Sequence, residues 1–236
     1  MSVPLLSALQ VLEIAHPATE YAGKILAEVG ASVFLIEEPG GAATRARRPF
    51  AKGASKSRAS IPFLARNTDK RSAVFDPTDA ADIEALGALA AASDAVLLPT
   101  DSPFAELLTD VDVPVRVELD DPEGIAAAGM VAFAASGGLS SSGWPQQPPC
   151  NAPSWLAIDG AGIYAAMLVA VGYRELLAGG RPPVARISVR EAAVAALTPW
   201  TRPLHSQELE VSGQGIMSRR LGSAGMPTYR ARDGYV

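Results

Sequence analysis

Short apolar runs alternate in the first half of the chain with longer stretches whose apolar positions recur at helical spacing. Residues 9–15 (LQVLEIA) read as a buried strand. The loop His16, Pro17, Ala18 follows, and Thr19 is placed to cap a helix over 20–29 that Gly30 closes. A second strand over 32–36 comes at once, so the opening is a βαβ unit whose crossover makes its two strands parallel. The alternation continues with a strand at 71–75, an Ala-rich helix at 78–92, and strands at 94–98 and 113–118. This pattern predicts an α/β fold with a doubly wound, Rossmann-like parallel sheet covered by helices on both faces.

After Asp120 the alternation fails. Residues 124–143 are small and nearly uncharged, fitting either a Gly-broken helix or a packed loop, and 144–153 hold four prolines and must be irregular. A long apolar helix then runs from Asp159 to near Gly179, with a strand at 187–189 and a helix at 190–197. The window 155–173 is nearly long enough to cross a bilayer, but it contains Asp159 and is mostly Ala and Gly, which favours a buried helix. From 199 on the chain is turn-rich, and Asp233, Gly234, Tyr235, Val236 look like the start of a strand with no strand after it. The expected division is a first domain over 1–198 and, over 199–236, a linker leading into a second domain that is missing or truncated.

With 236 residues, 48% of them hydrophobic and 19% charged, the chain can bury a sizeable core, and whole-chain disorder is excluded. One cysteine, Cys150, excludes a disulfide scaffold or a thiolate metal cluster, and the start lacks the basic residues of a secretory signal, so a cytoplasmic protein is expected. The formal charge of −5 conceals an asymmetry. Residues 45–71 hold nine Lys or Arg and one acid, Asp69, a local +8 that leaves −13 for the remainder. Such a run is either a solvated loop or a cradle for a phosphorylated ligand; nucleic acid is disfavoured because only Phe50 and Phe63 fall within it.

The turn after the first strand, AHPATEYAG, has no glycine before its helix, so a nicotinamide dinucleotide is not expected. No nucleophile elbow, two-His metal spacing or Walker loop is present either. Two residues stand out. Asp159, at the start of an apolar helix, is either a simple N-cap or a carboxylate nucleophile or acid/base group in an apolar pocket. His16, at the carboxyl end of the first strand, is placed to contact a ligand, or else caps or packs.

The stretches VLEIAHPATEYAGKILAEVGASVFLIEEPGGAATR, FLARNTDKRSAVFD, WLAIDGAGIYAAMLVAVGYREL and ISVREAAVAAL resemble, in order, the class III CoA-transferase family, which includes the alpha-methylacyl-CoA racemases. The resemblance implies a doubly wound CoA-binding domain, no permanently bound cofactor and no metal. The expected substrates are an acyl-CoA and a small carboxylic acid, with neither nucleic acid nor membrane as partner, and complete relatives form an interlocked homodimer. It also implies transfer of CoA from an acyl-CoA donor to a carboxylic acid acceptor through covalent intermediates on Asp159. His16, Pro17, Ala18, Arg45, Asn67, Lys70 and Arg71 would then lie at the CoA. Where the family usually has an Asn-Phe-Arg-like turn, this chain has Pro99, Thr100 and Asp101, and Met130 and Val131 stand near the place of the racemases' histidine. A non-catalytic or partner-requiring homologue is therefore the alternative to a transferase, with a racemase third.

Overall fold

A computed structural model describes residues 5–53, 60–121, 129–141, 148–150, 155–196 and 232–233. Six strands form one parallel sheet: β1 (Gln10–Ile14), β2 (Ser32–Glu37), β3 (Arg71–Val74), β4 (Ala95–Pro99), β5 (Val115–Asp120) and β6 (Ala185–Ser188). Their spatial order is β3-β2-β1-β4-β5-β6, the doubly wound Rossmann order. In such sheets the strand order reverses between β1 and β4, and ligands bind in the crevice outside the strands' carboxyl ends there.

Side chains on alternate sides of each strand feed two cores. Val11, Val33, Leu97 and Val117 face α1 (Pro17–Glu28), α7 (Leu156–Leu177) and α8 (Val189–Ala196). Leu12, Ile36, Val96 and Leu98 face the other layer, which holds α3 (Ala80–Ala91) and α4 (Phe104–Leu107). Because both faces are covered, the central strands read as nearly continuous apolar runs. The stretch left open between helix and loop forms, in its described part, α5 (Gly129–Ala135) and α6 (Gly138–Ser141). Of the expected linker over 199–236, only Arg232 and Asp233 are among the described residues.

Two expected boundaries shift for local reasons. The first helix begins at Pro17 rather than Glu20: proline is preorganised for the first turn, and the cap is His16, whose Nδ1 accepts from the Ala18 amide at 3.2 Å. Thr19, expected as the cap, instead turns its hydroxyl back to the Ile14 and His16 carbonyls at 2.7 and 3.0 Å. In α7, Trp155 is the cap residue, and Asp159 stands one turn inside with its amide donating to the Trp155 carbonyl at 2.8 Å. Asp159 is thus not an N-cap, and its carboxylate is left for other partners.

The helix α7, apolar and long enough to span a membrane, is the central helix of the larger core, with Ala161, Ala165 and Val169 fully buried. It lies close against α1: a Cβ built on Gly162 would meet the Ala18 carbonyl at 2.8 Å and Tyr21 Cβ at 2.9 Å. The dense packing of the two helices therefore requires glycine at this position.

Beneath α1 lies a buried polar network. Glu13, on β1, is fully buried, and Lys70 reaches across β2 to place its ammonium 3.0 Å from Oε1 and 2.9 Å from Oε2 of that carboxylate. Only the Oε1 contact has hydrogen-bond geometry. The same ammonium donates to the Glu20 carbonyl at 2.7 Å and to Asn67 Oδ1 at 2.9 Å, which completes its three donors. Asn67 Nδ2 donates to the Glu20 carboxylate at 3.0 Å, and the Thr44 hydroxyl lies 2.8 Å from both of its oxygens. The Ser60 hydroxyl donates to the Thr44 carbonyl at 2.8 Å and caps α2 (Ile61–Arg66) by accepting from the Phe63 amide. One network thereby ties β1, α1 and the loop after β2 to the short helix α2.

Burial raises the Glu13 carboxyl from 4.5 to about 7 against the opposing pull of Lys70. The folded protein then holds a proton there that the unfolded chain has released, so Glu13's contribution to stability is greatest below pH 4.5 and falls as the pH rises towards 7. Lys70→Met strands the carboxylate, so at about pH 8 the variant is expected to lose about 3–5 kcal/mol in urea unfolding. At about pH 5, where Glu13 is protonated, the loss shrinks; an equal loss at both values would contradict the ion-pair account. Gly162→Ala is expected to cost about 1–3 kcal/mol by forcing α7 from α1, measured in the same way.

Candidate functional site

The β1–α1 loop leaves the sheet at the reversal of strand order, and the second turn of α7 lies against it. Helix α2 ends there with Arg66, whose side chain is 7% exposed. Its Nη1 donates to the Pro17 carbonyl at 3.1 Å, and Nη2 makes a short ion-paired hydrogen bond to Asp159 Oδ1. The guanidinium is also held by rings, with its carbon 4.1 Å from the centroid of Trp155 and 5.2 Å from that of Tyr21. A second guanidinium, that of Arg47, lies 5.1 Å from the Trp155 ring.

Asp159 keeps 26% of its side chain exposed, so its carboxylate is reachable as well as paired. Burial pushes its carboxyl above the ordinary aspartate value of 3.8, while the charge and hydrogen bond of Arg66 pull the other way. The result is a half-buried acid beside a fixed cation and an indole ring, at the edge where α/β sheets bind their ligands. Chemically it can act as a nucleophile or hold a cationic group.

His16 sits one loop away. Its Nδ1 is engaged as the helix cap, and its Nε2 lies 3.8 Å from Asp121 Oδ2. Burial lowers the imidazole's proton affinity, although Asp101 and Asp121 favour the cation. Asp101 belongs to the turn after β4, so the reversal point carries acids as well as a histidine. A groove of about 230 Å3 opens beside it, past the ends of β1 and β2, lined by Ile14, Ile36, Phe104, the acid Glu38 and the small residues from Gly40 to Ala43.

Of the seven described cations of the 45–71 run, Arg45, Arg66 and Lys70 pair with carboxylates from outside it, whereas Arg48, Lys52 and Arg71 are exposed. Arg45 forks onto Glu37, Nε to Oε2 at 2.5 Å and Nη2 to Oε1 at 2.6 Å, and its guanidinium stacks on Phe63 at 3.8 Å. Burial works to raise the Glu37 carboxyl, but Arg45 and the Ala42 amide outweigh it and hold it below its usual value. Lys70 is 1% exposed, with all its donors used. Arg71 reaches Ser32 Oγ at 2.6 Å, at the amino-terminal end of β2 and away from the ligand edge. Lys56 and Arg58 lie outside the described residues. His16, Pro17 and Ala18 therefore gather with Asp159 at the reversal point, whereas Arg45, Asn67, Lys70 and Arg71 spend polar groups on internal partners.

Sequence reasoning missed Arg66, Trp155 and the Glu13–Glu20 network as parts of the site. Trp155 carried a usable signal, one helical turn before Asp159; Arg66 carried none beyond its place in a basic run.

Residues 6–106 and 122–236 match the family described as CoA-transferase family III. A probable CoA-transferase of Mycobacterium tuberculosis is 32% identical over 239 residues, covering 92% of this chain and 29% of that protein. A CAIB/BAIF family protein from Brucella suis shares the fold with a TM-score of 0.72 at 21% identity, over 99% of this chain and 65% of its own. A hypothetical protein from Mycobacterium tuberculosis gives a TM-score of 0.71 at 22% identity, over 100% and 64% of the two chains. The chain thus spans less than a third of that curated relative and just under two thirds of these solved structures. On the family match, which runs through both halves of the described sheet and through Asp159, the chain belongs to CoA-transferase family III.

Proposed function

We propose that this chain supplies the CoA-binding face and the nucleophile of a cytoplasmic acyl-CoA:carboxylate CoA-transferase, with Asp159 as nucleophile. The observation that carries this reading is the placement of a half-exposed carboxylate, paired with Arg66, at the reversal point of a family III sheet. The loop His16 to Ala18 borders the CoA, and the groove past β1 and β2 takes its nucleotide end on a lining of small and apolar residues that holds no cation and one acid, Glu38. Arg45, Asn67 and Lys70 support the site by holding the loops that shape it. The exposed Tyr164, Met167 and Val171 on the outer face of α7 suit the subunit contact of a homodimer.

In this reading an Asp159 oxygen attacks the thioester carbonyl of the donor, forming a mixed anhydride and releasing CoA thiolate. The thiolate attacks the aspartyl carbonyl, giving an aspartyl-CoA thioester and freeing the donor's acid as a carboxylate. The acceptor carboxylate then attacks the aspartyl thioester, again forming an anhydride and thiolate. Attack of that thiolate on the acceptor's acyl carbon yields the new acyl-CoA and returns the Asp159 carboxylate. No proton is consumed, and splitting the exchange into steps at one carboxylate lowers each barrier. Arg66 keeps Asp159 ionised at the start of the cycle.

A second reading, a homologue that does not turn over, is favoured by Asp101 in the turn after β4, where an acid faces the expected pyrophosphate. Calorimetric titration with CoA separates the two, because binding supports the transferase and its absence supports the alternative.

With acyl-CoA, the intact protein is expected to accumulate a covalent adduct that hydroxylamine converts to a hydroxamate on the Asp159 peptide. Asp159→Ala should form none and lose turnover by about a thousandfold or more. If CoA binds but no adduct forms, Asp159 is not the nucleophile. The acid limb of kcat/KM should lie above pH 3.8, because burial raises the Asp159 carboxyl. Arg66→Gln removes the opposing charge and should move that limb to still higher pH, as read from the pH profile.

A further inference from the structure

We infer that Arg66 is the binding site for the free carboxylate of the acid substrate, taking it up when Asp159 gives up its own charge. This rests on the reading of Asp159 as the nucleophile. The guanidinium is fixed independently of Asp159: Nη1 is on the Pro17 carbonyl, its plane is against Trp155 and Tyr21, and its backbone ends a helix capped by Ser60 and tied through Asn67 to the Glu20 carboxylate. It therefore stays in place when its counterion changes. At 7% exposure, water can do little to replace that counterion.

The charge balance of the exchange identifies what replaces it. Attack by Asp159 turns its carboxylate into a neutral acyl group, and the negative charge passes to the CoA thiolate. When the thiolate takes the aspartyl carbonyl, the charge leaves on the donor's carboxylate. In the aspartyl-CoA state, Arg66 thus faces a neutral thioester, and the available anion is a carboxylate, first the departing acid and then the acceptor. A carboxylate seated on Nη2 occupies the place of Asp159 Oδ1 and lies beside the carbonyl it must attack. The acceptor therefore competes with ionised Asp159 for Arg66 and binds well only after acylation, which orders the two half-reactions.

The test first imitates the neutral state. In the intact protein, Asp159→Asn removes the charge and keeps the shape, and 13C-acetate titrated by NMR should bind at least tenfold more tightly than to wild type. Asp159→Asn combined with Arg66→Gln should lose that gain. Asp159→Ala serves as a second background, and matched circular dichroism checks that each variant is folded. Equal acetate affinity in the single and double variants would overturn the proposal, as would tighter binding of inorganic phosphate than of acetate. A kinetic arm keeps Asp159: in Arg66→Lys the KM for the acceptor acid should rise at least tenfold while that for acyl-CoA changes less than twofold. A KM change confined to acyl-CoA would overturn it as well. Failure of the transferase reading shows differently, as a wild-type protein that binds CoA yet forms no adduct on Asp159, whatever the acetate titrations give.

Discussion

The ion pair between Lys70 and Glu13 sits where neither water nor a second cation can replace either partner, and the ligand edge is built on it. A buried carboxylate needs a counterion, and the lysine that supplies it comes from the turn before β3, two strands away. Bringing it there fixes the Asn67 turn, in which Asp69 takes a left-handed conformation with φ of 62°. Asn67 and Thr44 in turn hydrogen-bond Glu20, whose carboxyl burial holds above its ordinary value against their opposing pull. The consequence of this chain of obligations is mechanical: the end of α2, and so the Arg66 guanidinium, is set by a network of internal hydrogen bonds.

Arg66 and Asp159 show how such rigidity meets chemistry. A cation next to a carboxylate favours its ionised form against partial burial. A lysine in this place would follow its counterion; an arginine set against Trp155 and bonded to the Pro17 carbonyl stays where it is.

The sheet was legible in the amino-acid pattern because its central strands are buried on both faces, so their apolar runs are continuous and the helical periods between them are clear. Boundaries were less so. The start of α1 depends on an imidazole nitrogen capping an amide, a role that threonine fills more often. Asp159 stood out because an acid at the start of an apolar helix is placed where the helix dipole favours its anion, but its partner could not be read, since Arg66 lies 93 residues away and looks like any other cation in its run. The net charge of that run fitted either a solvated loop or a cradle for phosphate. Instead, Glu13, Glu37 and Asp159, all from outside it, take up Lys70, Arg45 and Arg66. Three of the run's cations are thus spent on acids distant in sequence, which a sum along the sequence cannot display.

Gly23 lies directly over Glu13, so that a Cβ there would fall 1.6 Å from Oε2 of the carboxylate and 2.9 Å from the ammonium of Lys70. These three positions are therefore not independent sites of variation. A side chain becomes tolerable at 23 only after the acid at 13 has shortened or gone, and once the acid has gone the lysine at 70 is itself a buried charge with no counterion. The glycine, the acid and the lysine form one packing unit, in which a change at any of the three bears on the other two.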